Sequence, residues 1–175
     1  SKPTVDLDKL RAWKGSVVGS LAGGVKTLLA KRGVEVITGR ARFDGPKSLA
    51  LEGGEVSGID FQDVIIATGS TPRPLPESVA APGLGIWSST DALELSEIPE
   101  KLVVVGGGYI GLELGLVYAG LGSDVSVVEF NPRLLAGADP DLVKVMVKAA
   151  EKRLSAIHAE SKVVSVIERG ETYVT

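Results

Sequence analysis

From Val5 to Arg32 the apolar positions Leu7, Leu10, Trp13, Val17, Leu21, Val25, Leu28 and Leu29 recur mostly at steps of three and four. That spacing gathers them on one stripe of an amphipathic helix. Thr4 or Asp6 can cap its start and Gly33 can end it. The Gly23-Gly24 pair inside costs about 1 kcal/mol per glycine relative to alanine, which suggests close packing or a bend there. The pattern then shortens. "VEVITGRARF" (Val34 to Phe43) alternates in part, and "SLALE" and "EVSGIDF" flank Gly53-Gly54 as in a hairpin. "DVIIATG" is a short apolar run, the pattern of a buried strand ending at Gly69. Pro72, Pro74, Pro76 and Pro82 forbid regular structure and suggest a crossing between domains. "SSTDALEL" has the pattern of a short capped helix.

From Lys101 to Phe130 the chain reads strand, glycine turn, helix and strand: "KLVVVGGGYIGLELGLVYAGLGSDVSVVEF". Asp139-Pro140 supplies an N-cap with proline in the first turn of a further helix. That helix is expected to run to about Ile157, with Leu142, Val145, Met146, Ala149 and Leu154 on one face. "KVVSVIERGETYVT" then reads as a strand, a turn at Gly170 and the start of another strand. There is no internal repeat. The order of elements predicts an α/β protein with a Rossmann-like sheet.

The glycine turn carries the first chemistry. Gly106, Gly108 and Gly111 satisfy G-x-G-x-x-G between a strand and a helix. Gly106 allows the tight turn, Gly108 lets a pyrophosphate approach the backbone, and Gly111 lets helix and strand pack closely. The helix N-terminus adds free N–H donors and partial positive charge. Glu129 ends the second strand 18 residues after Gly111, near the position of a ribose-binding acid. A carboxylate there accepts ribose hydroxyls and repels a 2′-phosphate, so the reading is NAD over NADP, although Asn131 and Arg133 follow it. The plain alternative is a glycine-rich turn that binds nothing, with Glu129 merely solvated.

Composition narrows this further. The 175 residues carry a net charge of −3, so no basic field attracts nucleic acid or an anionic membrane. No apolar run approaches the roughly 20 residues of a membrane span, and the first residues lack the apolar core of a signal peptide. There is no cysteine, hence no disulfide, thiolate metal site or cysteine nucleophile in this chain, a composition that fits a cytoplasmic protein. No metal site is expected. His158, the only histidine, is expected near the end of the Asp139 helix as a surface or capping residue, because nothing suggests an orienting partner for a base.

Taken with "VIIATGSTPRPLP" and "LAGGVKTLLAKRGVEVITGRARF", the glycine turn resembles the FAD-dependent pyridine nucleotide–disulfide oxidoreductases. "VVEFNPRLLAGADPDLVK" is most similar to their dihydrolipoamide dehydrogenase branch. The resemblance covers nearly the whole chain and weakens from "LSAIHAESKVV" onward. It implies that residues 1–86 are the later part of a FAD domain, 87–96 a linker, and 97–175 an NAD domain truncated on its C-terminal side. It further implies that Thr68, Gly69 and Ser70 lie against FAD and that Ala41 presents its backbone to the FAD adenine. Gly106, Gly107, Gly108, Tyr109, Ile110 and Gly111 would hold the NAD pyrophosphate, and Glu129 the adenosine ribose. Glu113 would face the nicotinamide and flavin; otherwise it is a first-turn acid favoured by the helix dipole.

The family's redox cysteine pair, first FAD glycine motif and His-Glu pair have no counterpart here, so the chain is expected to be an internal fragment, inactive alone. The parent implied is a cytoplasmic homodimer with a redox-active centre, serving the lipoyl domain of a 2-oxo acid dehydrogenase complex. A stand-alone NAD-binding or interaction module, and a mercuric or glutathione reductase-like enzyme, are the alternatives.

Overall fold

The computed structural model describes residues 4–81, 83–169 and 172–174. The chain divides into two compact units, one of Ala12–Ser70 and one of Ser1–Arg11 with Thr71–Thr175.

The first long element is helix α1 (Leu7–Lys31). Asp6 caps it, its carboxylate accepting the Lys9 N–H at 3.1 Å, and this hydrogen bond holds the acid below its ordinary range. Gly33, at φ +66°, takes the left-handed turn that ends it. The expected apolar stripe is present, yet Trp13, Val17, Leu21, Val25 and Leu28 are all exposed. A Cβ on Gly23 or Gly24 would meet nothing within 4 Å, so close packing does not explain them among the described residues.

Three strands follow in the Ala12–Ser70 unit: β1 (Arg40–Gly45), β2 (Ser48–Glu52) and β3 (Gly58–Asp60), an antiparallel meander in that order. Gly53, at φ +82°, makes the turn the Gly-Gly pair signalled. Phe43 and Phe61 pack edge to face, 6.1 Å apart. Two expectations fail here. Val34 to Gly39 stays outside the sheet, and "DVIIATG" is not a buried strand. Residues 63–69 are irregular, with Ile65 92% and Ile66 68% exposed. A buried strand needs hydrogen-bonding neighbours on both sides, and none of β1 to β3 pairs with this run.

The other unit contains the parallel sheet. The described residues of the proline segment are irregular as expected and lead to α2 (Ser89–Glu94). Ser88 and Asp91 form a reciprocal capping box, the Ser88 N–H donating to Asp91 at 2.7 Å. Then come β4 (Lys101–Val105), α3 (Tyr109–Leu121), β5 (Asp124–Val128), α4 (Pro140–Ala150) and β6 (Ala156–His158). The strands are parallel in the order β4-β5-β6, with Val105 opposite Val128 and Val128 opposite His158. The core lies between this sheet and its helices. It contains Leu95, Leu112, Tyr118, Val125, Val127, Leu134, Ala150 and Leu154. Tyr118 is fully buried, its hydroxyl donating to the Ala92 carbonyl at 2.7 Å and its ring 5.8 Å from that of Trp87. Arg11 donates to the Leu95 carbonyl at 2.6 Å, satisfying an orphan acceptor at the end of α2.

Helix α4 corrects two further expectations. It stops at Ala150, and Ile157 and His158 belong to strand β6. Its inner stripe is Val143, Val147 and Ala150, while Leu142, Val145, Met146 and Ala149 face out. Both stripes have helical spacing; which one is buried depends on how the helix meets the sheet. Leu154, expected on the helix, is buried from the turn after it. Of the final expected strand pair, β7 (Ile167–Arg169) and β8 (Thr172–Val174) form an antiparallel pair, and residues 162–166 stay outside it except for a bridge from Val166 to Ala80. The turn expected at Gly170 lies outside the described residues.

Candidate functional site

Strand β4 ends where the chain must turn sharply into α3, and the glycines divide that task. Gly106 sits at φ +105°, a region costly for any side chain. Its N–H still donates to the Val128 carbonyl at 2.8 Å, tying the turn to β5. A Cβ on Gly107 would strike the Leu134 side chain. Gly108 is the N-cap of α3 in extended conformation, and a Cβ on it would meet nothing within 4 Å. A Cβ on Gly111 would strike the Gly106 carbonyl oxygen and sit 3.1 Å from Val104. Gly115, one turn on, faces Val104 and Val125 at 3.4 and 3.5 Å. Its role in letting α3 lie on both strands escaped the motif reading, although its position one turn beyond Gly111 is a usable signal.

The first backbone hydrogen bond of α3 runs from Leu112 to Gly108 at 3.0 Å. The N–H groups of Tyr109, Ile110 and Gly111 therefore have no backbone acceptor among the described residues. Tyr109 and Ile110 are exposed beside them. The result is an open helix N-terminus with donors uncovered and no side chain over Gly108, which suits an anion.

Glu129 lies across the turn, one residue past β5 and only 8% exposed. One carboxylate oxygen, Oε2, accepts the Gly107 N–H at 2.6 Å. The other, Oε1, accepts the Asn131 backbone N–H at 2.7 Å and the Asn131 side-chain amide at 2.6 Å. Burial alone pushes its pKa up, but the donors from Asn131 and Gly107 together outweigh it, and the net direction is down. The carboxylate is thus held ionised, and bonded to the glycine turn rather than merely solvated. The Glu129 main chain is pinned as well, its N–H to the His158 carbonyl at 2.8 Å and its carbonyl to the Ser161 N–H at 2.9 Å. His158 contributes that carbonyl; its side chain is exposed.

A cavity of about 430 Å³ opens beside this acid. Val105, Gly106, Val128, Glu129 and Phe130 form one side, Ser161 to Val163 another, and Leu75, Pro76 and Val79 of the proline segment line it too. It lies at the carboxyl ends of parallel strands, where open α/β sheets bind ligands. The Ser161–Val163 and Leu75–Val79 walls carried no motif; only the fold brings them to Glu129.

The remaining expected residues are less assembled. Glu113 is exposed on α3 and makes no ion pair among the described residues; α3 starts at Tyr109 and its first turn carries no acid, so Glu113 is not the first-turn acid expected. Ala41 lies exposed in β1 opposite Leu51. Thr68, Gly69 and Ser70 are exposed in the irregular segment, Gly69 at φ +72°. No hydrogen bond joins these three to Ala41 among the described residues. The glycine turn and Glu129 are therefore joined by a hydrogen bond, whereas no hydrogen bond gathers the residues expected at the flavin among the described residues.

This arrangement is a Rossmann-like α/β fold of the FAD/NAD-binding kind, and the comparisons with known proteins specify the family. Residues 2–175 match the model of the family described as pyridine nucleotide-disulphide oxidoreductase, and the chain belongs to that family. It is 44% identical over 166 residues to dihydrolipoyl dehydrogenase of Vibrio parahaemolyticus, covering 94% of this chain and 34% of that protein. It is 40% identical over 173 residues to the mitochondrial dihydrolipoyl dehydrogenase of Dictyostelium discoideum, covering 98% of this chain and 35% of that one. Among solved structures, the HOCl-induced flavoprotein disulfide reductase RclA from Escherichia coli superposes with a TM-score of 0.78 at 25% identity, over 97% of this chain and 41% of that one. The chain spans about a third of the length of the dihydrolipoyl dehydrogenases it matches. Membership of the family implies a flavin and a nicotinamide cofactor. No helix among the described residues is long and apolar enough to cross a membrane.

Proposed function

We propose that this chain is the nucleotide-receiving part of a dihydrolipoyl dehydrogenase, and that it binds NAD rather than NADP. The observation that carries the reading is the buried, ionised Glu129 joined to Gly107 across an open α3 N-terminus. The pyrophosphate would lie over Gly108 on the uncovered N–H groups of residues 109–111, and Glu129 would accept from the adenosine ribose. The adenine fits the largely apolar cavity between Val105, Phe130 and Val163. A 2′-phosphate would meet the Glu129 charge in a partly desolvated site, an unfavourable pairing. Arg133, which follows the acid in the sequence, donates to the Ala136 carbonyl at 2.9 Å, and Lys162 is the cation that lines the cavity with Glu129.

In the parent enzyme dihydrolipoamide would be oxidised to its disulfide, its two electrons passing through FAD to NAD⁺ as hydride with release of a proton. The cofactors supply that redox chemistry when bound. This chain would orient the nicotinamide end through α3, with Glu113 facing the reaction region, and would contribute Ala41 and Thr68–Ser70 to the flavin side. The irregular, exposed 63–70 run fits that division, because its hydrogen-bonding partners would come from the two thirds of the relatives' length that this chain does not span. On the same reading the parent enzyme would be a cytoplasmic homodimer serving the lipoyl domain of a 2-oxo acid dehydrogenase complex.

The test is Glu129→Ala in the intact enzyme. NAD⁺ affinity should fall about tenfold, the value of one hydrogen bond to a charged acceptor, while NADP⁺ affinity holds or improves. Unchanged NAD⁺ affinity would remove the ribose role of Glu129.

A further inference from the structure

Glu129 has two oxygens, each with room for two hydrogen-bond donors. Their occupancy is unequal. Oε1 accepts both Asn131 donors, the backbone N–H at 2.7 Å and the side-chain amide at 2.6 Å, and is full. Among the described residues Oε2 accepts one hydrogen bond, from the Gly107 N–H at 2.6 Å, which leaves it one lone pair. Asn131 itself is anchored, its carbonyl accepting the Glu160 N–H at 3.0 Å. The Asn131 side chain therefore folds back over the acid from a fixed main chain, while the far side of the carboxylate is tied to the nucleotide turn.

We propose that Asn131 is a positioning residue for dinucleotide recognition: its side-chain amide locks the Glu129 carboxylate so that Oε2, the oxygen already joined to Gly107, is the acceptor presented to the adenosine ribose. This rests on the ribose role of Glu129. A free glutamate side chain would have to give up rotamer freedom on binding; one held at both oxygens has given it up on folding, so less is lost when the ribose arrives. The amide also stabilises the ionised form, so its removal lets the carboxyl protonate at higher pH. Asn131 would thus act on the ligand only through Glu129.

The test uses the intact flavoenzyme and ADP-ribose, which carries the adenosine ribose and pyrophosphate but transfers no hydride. Affinity is measured by calorimetry from pH 4.5 to 8 for wild type, Asn131→Ala, Glu129→Ala and the double variant. Asn131→Ala should weaken ADP-ribose about tenfold at neutral pH and move the acidic loss of binding to higher pH. The double variant should bind no worse than Glu129→Ala alone. If Glu129→Ala weakens binding while Asn131→Ala leaves it unchanged or tightens it, the positioning role is wrong and the ribose role of Glu129 stands. Independent, additive losses would also overturn it, since they require Asn131 to act without Glu129. Unchanged binding in Glu129→Ala would overturn both. Should Asn131→Ala fail to fold, Asn131→Leu keeps the volume while removing the donor and carries the same expectations.

Discussion

At the scale of single residues, four glycines that look alike in the sequence do four different things. A side chain at Gly111 has no space, because the Gly106 carbonyl occupies the position of its Cβ. Gly111→Ala should therefore lower stability by roughly 1–3 kcal/mol, the cost of overpacking, measurable by chemical denaturation. Gly108 is the opposite case, with ordinary φ and open space around its Cβ. Gly108→Val should change stability by less than about 1 kcal/mol in the absence of nucleotide. Yet ADP-ribose binding should fall about tenfold or more, because the added side chain stands where the pyrophosphate approaches. Equal binding by both proteins would place the phosphate elsewhere. Glu129 adds a pH dependence. Its folded pKa lies below the ordinary 4.5. A depressed carboxyl pKa contributes stability that is fully present above the unfolded value and is lost as pH falls through the folded one. Glu129→Gln should therefore flatten part of the loss of stability seen below pH 4.5, as read from melting temperature against pH.

Elements form where the local signals agree, and α2 is the clearest case. The six-residue helix is too short to be stable alone. Its Ser88–Asp91 capping box satisfies N-terminal donors, and Arg11 and Tyr118 bond carbonyls at its far end. Ser88→Ala should cost about 1 kcal/mol, detectable as a lower melting temperature. The hydrogen bonds from Ser88 hold Asp91 below its ordinary pKa, so the wild-type advantage should shrink as pH falls through the folded value of that acid. These signals were legible in "SSTDALEL" because capping is decided within four residues. Helix α4 shows the limit of that legibility. Asp139-Pro140 marks its start, but the pattern overstates its length and does not single out its buried face, since Leu142, Val145 and Met146 have as good a period as Val143, Val147 and Ala150.

For the whole chain, stability is concentrated in the parallel sheet and its helices. Strands β4 to β6 share one core with α3 and the inner face of α4. Residues 63–70 have no backbone hydrogen bonds among the described residues and expose Ile65 and Ile66. In this chain taken alone, amide exchange should be slow across 101–128 and fast across 63–70, and limited proteolysis should cut first in the latter. In the intact enzyme, protection of 63–70 should rise if the partners proposed for this run are supplied there.

The sequence by itself determined what depends on neighbours along the chain: the glycine turn at 106–111, the acid that closes β5, the proline break and the caps of α2 and α4. These follow from backbone freedom, donor counting and spacing within a few residues. Tertiary structure decided everything that depends on a partner distant in sequence. It chose the buried face of α4, moved His158 from a helix end to a strand, and brought Ser161–Val163 and the proline segment to the cavity. It also decided that "DVIIATG" is not a strand here, because a strand is defined by hydrogen bonds to another strand. Glu129 belongs to both. Its place was written in the spacing from Gly111, but its grip on Gly107 needed the fold that sets β4 beside β5.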